Sequence, residues 1–187
     1  MSYEDPGWRG VSARVLGGLL KPWKGHRLAD GLDGVSTLRM LSILFVGALF
    51  LYLFVTFQLV EEDHDPVRSL TVWGIALVGI ASILGARWAA GRPLNASSDQ
   101  ELAASYRTNF FVGIAFAESP ALIGFALSFV EGSRIPYLWG FAFSLVAMLT
   151  VAPTRGHLER RQRDITTAGS PLSLGEALSR SYPRSEP

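Results

Sequence analysis

The stretch RTNFFVGIAFAESPALIGFALSFVE, Arg107 to Glu131, decides how this chain is read. Between Thr108 and Val130 it carries one ionisable side chain, Glu118, in an otherwise apolar run. As a helix, such a run is long enough to cross a hydrocarbon core of about 30 Å. Backbone N–H and C=O groups inside lipid must be paired within their own segment, so an isolated apolar run of this length reads as helix. A carboxylate at that depth costs about 2.5–3.5 kcal/mol on insertion scales and marks a functional candidate.

Working outward, three more apolar runs flank this one. The four expected spans are 38–60, 67–90, 99–131 and 136–152, which together make a membrane domain over 38–152. The third begins well before its apolar part because Ser98 and Glu101 have capping-box spacing. Composition agrees with this reading. The 187 residues are 49% hydrophobic and only 18% charged, below the roughly 25% charge of a soluble domain. There is no Cys, which excludes disulfides and thiolate metal sites. The first apolar run lies behind a polar, basic segment and reads as a retained span, not a signal peptide.

Residues 1–37 form a basic N-terminal segment. Trp8, Val11, Val15, Leu16, Leu19 and Trp23 recur at near-helical spacing, with Arg9, Arg14, Lys21 and Lys24 between them. The pattern suits an interfacial helix with tryptophans at the headgroups, although Gly17, Gly18 and Pro22 argue against a rigid one. Residues 153–187 form a basic tail, in which Ser173 and Glu176 repeat the capping spacing and allow a short terminal helix. Arginine and lysine gather in the N-terminal segment, the middle connector and this tail, while the other two connectors hold only Arg68 and Arg134. Under the positive-inside rule, both termini are expected in the cytoplasm. The fold class expected is therefore all-α, a multi-pass four-helix bundle of a bacterial inner membrane.

No Lys, Arg or His stands at the depth of Glu118 in any span, so this carboxyl is expected to remain neutral at neutral pH, hydrogen-bonded to a neighbouring span. By depth, Ser82 and the Gly79 region of the second span and Ser144 of the fourth are its candidate partners. Glu118, Ser82 and Ser144 are the candidate proton- or cation-binding residues. Gly113, Ala117, Ala121 and Gly124 form a small-residue row suited to close helix packing. Pro120 has no N–H to offer the Phe116 carbonyl.

Other chemistries are not signalled. The sequence has no G-x-S-x-G, Walker-type loop or H-E-x-x-H, and no catalytic residue or cofactor is expected. The acidic connector EEDHDP, residues 61–66, places carboxylates beside His64; it reads as a solvated loop, and no metal site is expected. Juxtamembrane arginine points to topology and anionic lipid and not to nucleic acid. The expected partners are the lipid bilayer and other membrane subunits or further copies of the chain.

The run RTNFFVGIAFAESPALIG, residues 107–124, resembles the carboxylate-bearing helix of ATP synthase subunit c, the rotary proteolipid. Arg107, Thr108, Gly113, Ala115, Glu118 and Gly124 hold the positions of that family's R-T-x4-G-x-A-x2-E-x5-G pattern. Arg92-Pro93 in the preceding connector resembles its polar loop. The resemblance implies that Glu118 carries a proton. Over residues 38–165 the chain is also similar to a group of small four-helix bacterial inner-membrane proteins. The likeness rests on Glu118, Ala121 and Gly124 in the third span and on Pro153-Thr154-Arg155 after the fourth. It implies a fold and a location only. The leading functional expectation is a non-enzymatic structural or assembly component of a membrane complex. The alternative is a proton- or cation-binding unit that uses Glu118.

Overall fold

The computed structural model describes residues 34–61 and 69–180, together with Trp8, Val11 and Ser12. Apart from Trp8 and Val11, the expected interfacial helix lies outside these residues, as does most of the EEDHDP connector. From Gly34 on, six helices are bounded among the described residues, in order: α1 Gly34–Leu59, α2 Ser69–Gly91, α3 Asp99–Glu131, α4 Ile135–Val151, α5 Arg155–Thr167 and α6 Leu174–Arg180. No strand occurs among the described residues.

Three of these helices, α1, α2 and α3, are each long and apolar enough to cross a membrane. With 17 residues, α4 rises only about 25 Å. It meets the same test only jointly with α5, across a 49° bend. The protein is thus an all-helical, multi-pass membrane protein with three or four candidate spans among the described residues. The helix α1 starts four residues earlier than the apolar run, at Gly34.

The chain divides into two compact units. One comprises residues 44–92 and 108–151, the apolar lengths of α1 and α3 with all of α2 and α4. Its core is built on small residues. Gly79 of α2 receives the ring of Phe143 of α4, and Gly140 of α4 lies against the carbonyl of Pro120 on α3. A Cβ on Gly124 would sit 2.5 Å from the Pro136 oxygen, and one on Gly113 would sit 2.9 Å from the Val151 side chain. Only glycine admits backbones this close, which is how helices associate where lipid removes the hydrophobic drive between them. Aromatic contacts bring in α1: Tyr52 meets Phe125 with ring centroids 5.3 Å apart, and Phe50 meets Phe141 at 5.2 Å. The hydroxyl groups of Thr56, Ser119 and Ser128 donate to carbonyls four residues back, which satisfies them inside an apolar helix. The helix α3 ends at Gly132, whose φ of 59° and the Ser133 N–H bond to the Ser128 carbonyl form a Schellman-type stop.

The second unit contains residues 1–43, 93–107 and 152–187. Here the tail, read from the sequence as basic with at most one short helix, folds into α5 and α6. Thr154 caps α5 by accepting the His157 N–H, and α5 stops at Gly169 with φ 83°. Gln162 ties the two helices: its Nε2 donates to the Leu172 carbonyl at 3.0 Å and its Oε1 accepts the Leu174 N–H at 2.7 Å. Leu174, Ala177 and Leu178 are buried, and a Cβ on Gly34 would lie 2.5 Å from the Leu178 oxygen. Arg39 is fully buried; its Nε donates to the Pro153 carbonyl at 3.1 Å and its guanidinium lies over the Trp8 ring. At the start of α3, Ser98 Oγ accepts the Glu101 N–H at 3.2 Å. The Glu101 carboxylate turns to the Asn95 amide and the Ser97 hydroxyl, because the connector supplies these donors beside it.

Candidate functional site

The site is built on the middle of α3. Pro120 lies inside this helix without ending it and is fully buried. It contributes no N–H to the helix, so the Phe116 carbonyl lacks its usual donor. The next N–H, that of Ala121, is 3.0 Å from Ser144 Oγ on α4, which accepts its hydrogen bond. Together with the Gly140–Pro120 approach, this bond sets the rotation of α3 against α4.

That rotation decides where each candidate residue falls. Gly113, Ala117, Ala121, Gly124 and Ser128 are buried. Gly113 rests on Val151 and Gly124 on the Pro136–Tyr137 backbone. Ser128 Oγ accepts the Tyr137 N–H at 3.0 Å. Glu118 lies one step round the helix and is half-buried. At 100° per residue it shares a stripe with Phe111, Ala115 and Leu122, all of them exposed. Among the described residues no hydrogen bond reaches its carboxyl group. Ser144 is hydrogen-bonded to the α3 backbone, and Ser82 is buried within α2. The structure therefore does not join Glu118, Ser82 and Ser144 in one hydrogen-bonded cluster. The Ser144 hydroxyl that depth counting paired with the carboxyl accepts the Ala121 N–H beside Pro120 instead.

Two polar ties close the far end of this unit. Thr71 Oγ1 donates to Glu131 Oε1 at 2.9 Å, and Arg134 Nη2 donates to the Phe57 carbonyl at 3.1 Å while lying over the Phe57 ring. The Tyr137 hydroxyl donates to the Leu49 carbonyl. Sequence reading did not single out Gly140. A glycine one turn after an aromatic-rich start of α4 was the available signal, but its counterpart, Pro120, lies on another helix. No cluster of three or more His, Asp or Glu residues that could hold a metal exists among the described residues.

In the other unit, the Tyr106 and His157 rings meet at a tilt, with centroids 6.3 Å apart. Burial lowers the His157 pKa from its ordinary value, and the neighbouring Arg161 and Arg160 lower it further, against a smaller upward pull from Asp164. Arg161 is buried and pairs with Asp164 at 3.4 Å.

These features define a class: a multi-pass helical membrane protein whose third helix carries one carboxylate inside an apolar span, packed through small residues. Comparison with known proteins narrows the class. The chain is 42% identical over 73 residues to ATP synthase subunit c of Clavibacter sepedonicus, covering 95% of that protein and 35% of this chain. It is 43% identical over 63 residues to the subunit c of Clavibacter michiganensis subsp. michiganensis, covering 82% of that protein and 33% of this chain. The chain belongs to the ATP synthase subunit c family through about a third of its length. No family model matches it, and no solved structure matches it.

Proposed function

We propose that this protein is a proton- or cation-binding membrane unit in which Glu118 takes up and releases the ion. The observation that carries the reading is the extent of the match: nearly the whole length of a subunit c finds its counterpart here. Glu118 stands at the carboxylate position of the family pattern, on a helix whose apolar length has no other ionisable group. Its half-exposed place on α3, beside exposed Phe111 and Leu122, supports exchange with a partner surface more than a purely structural role.

The rest of the chain shapes this function. In our reading α1 to α4 are four spans, both termini and the unit containing α5 and α6 lie in the cytoplasm, and the membrane is a bacterial inner membrane. The small-residue face of α3 is occupied by α4 of the same chain. A neighbouring copy could not use that face, so the chain works as a unit joined to a larger membrane complex, without chemistry of its own and without a bound cofactor. An assembly or structural role in such a complex is the second reading, favoured by the additional helices around the matched third of the chain.

A hydrophobic carbodiimide, which modifies carboxyl groups inside lipid, tests the proposal. In reconstituted protein we expect modification at Glu118, prevented by raised pH or by a competing monovalent cation, and none in Glu118→Gln with its helix content intact. Modification indifferent to both pH and cations, or none at all, would reject ion binding and leave the structural role.

A further inference from the structure

We infer that the Arg87–Trp88–Arg92 end of α2 binds the phosphate of an anionic phospholipid, with an acyl chain lying along the exposed side of the same helix. The inference starts from a stripe. Leu70, Trp73, Leu77, Leu84 and Trp88 recur at helical spacing and are 82%, 75%, 70%, 62% and 58% exposed, and Ile80 lies beside them at 53%. The opposite side of α2 is the one that packs, through Ile75, Gly79, Ser82, Ala86 and Ala89. The stripe is therefore a continuous apolar lane on a helix that crosses the membrane. From Leu77 to Trp88 it is about 16 Å long, the length of a lipid chain's contact with one leaflet of a core about 30 Å thick.

At one terminus the lane ends in two arginines, Arg87 and Arg92. The guanidinium of Arg92 lies over the Trp88 ring, 4.9 Å from its centroid. Arg92 is held in place from behind: the side-chain amide of Asn109, itself buried, donates to its carbonyl at 3.3 Å. Arg87 is also exposed, about one and a half turns back along the helix. A stacked arginine keeps its planar fork pre-oriented, and guanidinium matches phosphate oxygens in pairs. A tryptophan at the headgroup level and cations beside it complement one chemistry in particular: a negatively charged headgroup above an apolar chain. At the other end of the stripe the sequence has one cation, Arg68, behind the acidic run EEDHDP, so the balance of charge favours an anionic headgroup at the Arg87–Arg92 end.

The site is distinct from Glu118 and stands whether or not Glu118 binds an ion. It is tested with the full chain, stripped of lipid in mild detergent and offered phosphatidylglycerol or phosphatidylcholine of identical acyl chains, with bound lipid counted by native mass spectrometry. We expect phosphatidylglycerol to be retained over phosphatidylcholine by about thirty-fold, the factor two basic side chains supply at an anionic surface. Arg87→Gln with Arg92→Gln should abolish the preference with helix content unchanged, and Trp88→Leu should reduce it. The inference is overturned if the double variant keeps the preference. It is equally overturned if Arg155→Gln with Arg160→Gln removes the preference to the same extent, since charge anywhere on the protein would then suffice.

Discussion

The Ser144 hydroxyl on α4 accepts the backbone N–H of Ala121 on α3 at 3.0 Å, one residue past Pro120 and three past Glu118. A side chain of one helix thus bonds the backbone of another directly after the proline. In lipid no water can do this, so the partner has to come from the protein. Ser144→Ala should destabilise the unit by about 0.6 to 1.7 kcal/mol, the range for interhelical hydrogen bonds in membranes. Unfolding by a denaturing detergent, followed by circular dichroism, would measure it, and Ser144→Thr should recover part of the loss.

Gly140 provides the steric counterpart. Its Cα faces the Pro120 carbonyl so closely that a methyl group has no room. Gly140→Ala must push α4 from α3 and should cost about 1–3 kcal/mol, as overpacking does. Gly74 is the control. A Cβ there meets nothing within 4 Å, so Gly74→Ala should leave stability unchanged or slightly raised through helix propensity. Equal effects of the two substitutions in the same unfolding assay would contradict the packing described.

Tyr137 is fully buried, and its hydroxyl donates to the Leu49 carbonyl of α1. Tyr137→Phe keeps the ring contacts with Phe125 and Phe141 and removes only this bond. A loss of about 1 kcal/mol is expected, together with easier proteolytic release of α1 in detergent.

The unit containing α5 and α6 should lose stability in mild acid. His157 has its folded pKa below the ordinary 6.5, first because it is buried and then because Arg161 and Arg160 stand near it, with Asp164 opposing. The unfolded chain therefore binds the proton more readily. The stabilisation is complete above the unfolded value near 6.5 and falls as pH drops from there toward the folded value. Tyr106 faces the imidazole and does not titrate near neutrality. Thermal unfolding monitored between neutral and mildly acidic pH should show this decline. His157→Gln should flatten it, and an unchanged slope in that variant would place the acid sensitivity elsewhere.

The apolar runs were legible because lipid leaves the backbone no alternative to helix, and α3 begins at Asp99, where Ser98 and Glu101 announce it. The resemblance around Glu118 was legible for a different reason: charge inside lipid is costly, so one carboxylate in an apolar helix stands out. The tail misled because its cues are polar. Arg155–Thr167 carries arginine and glutamate along its length and looks solvated until Arg161 and Ile165 are seen buried. A partner for Glu118 was expected from depth alone, and depth says nothing about rotation around the helix axis.

By itself, then, the sequence determined that apolar helices cross a membrane, that one of them carries a lone carboxylate, and that this helix follows the subunit c pattern. These properties follow from composition and from the price of burying unpaired polar groups. Which way Glu118 turns was decided only in three dimensions. The close approach of Gly140 to Pro120 and the bond from Ala121 to Ser144 fix the rotation of α3, because both join residues from different helices. That rotation sets the small-residue row against α4 and leaves Glu118 beside the exposed stripe of Phe111 and Leu122.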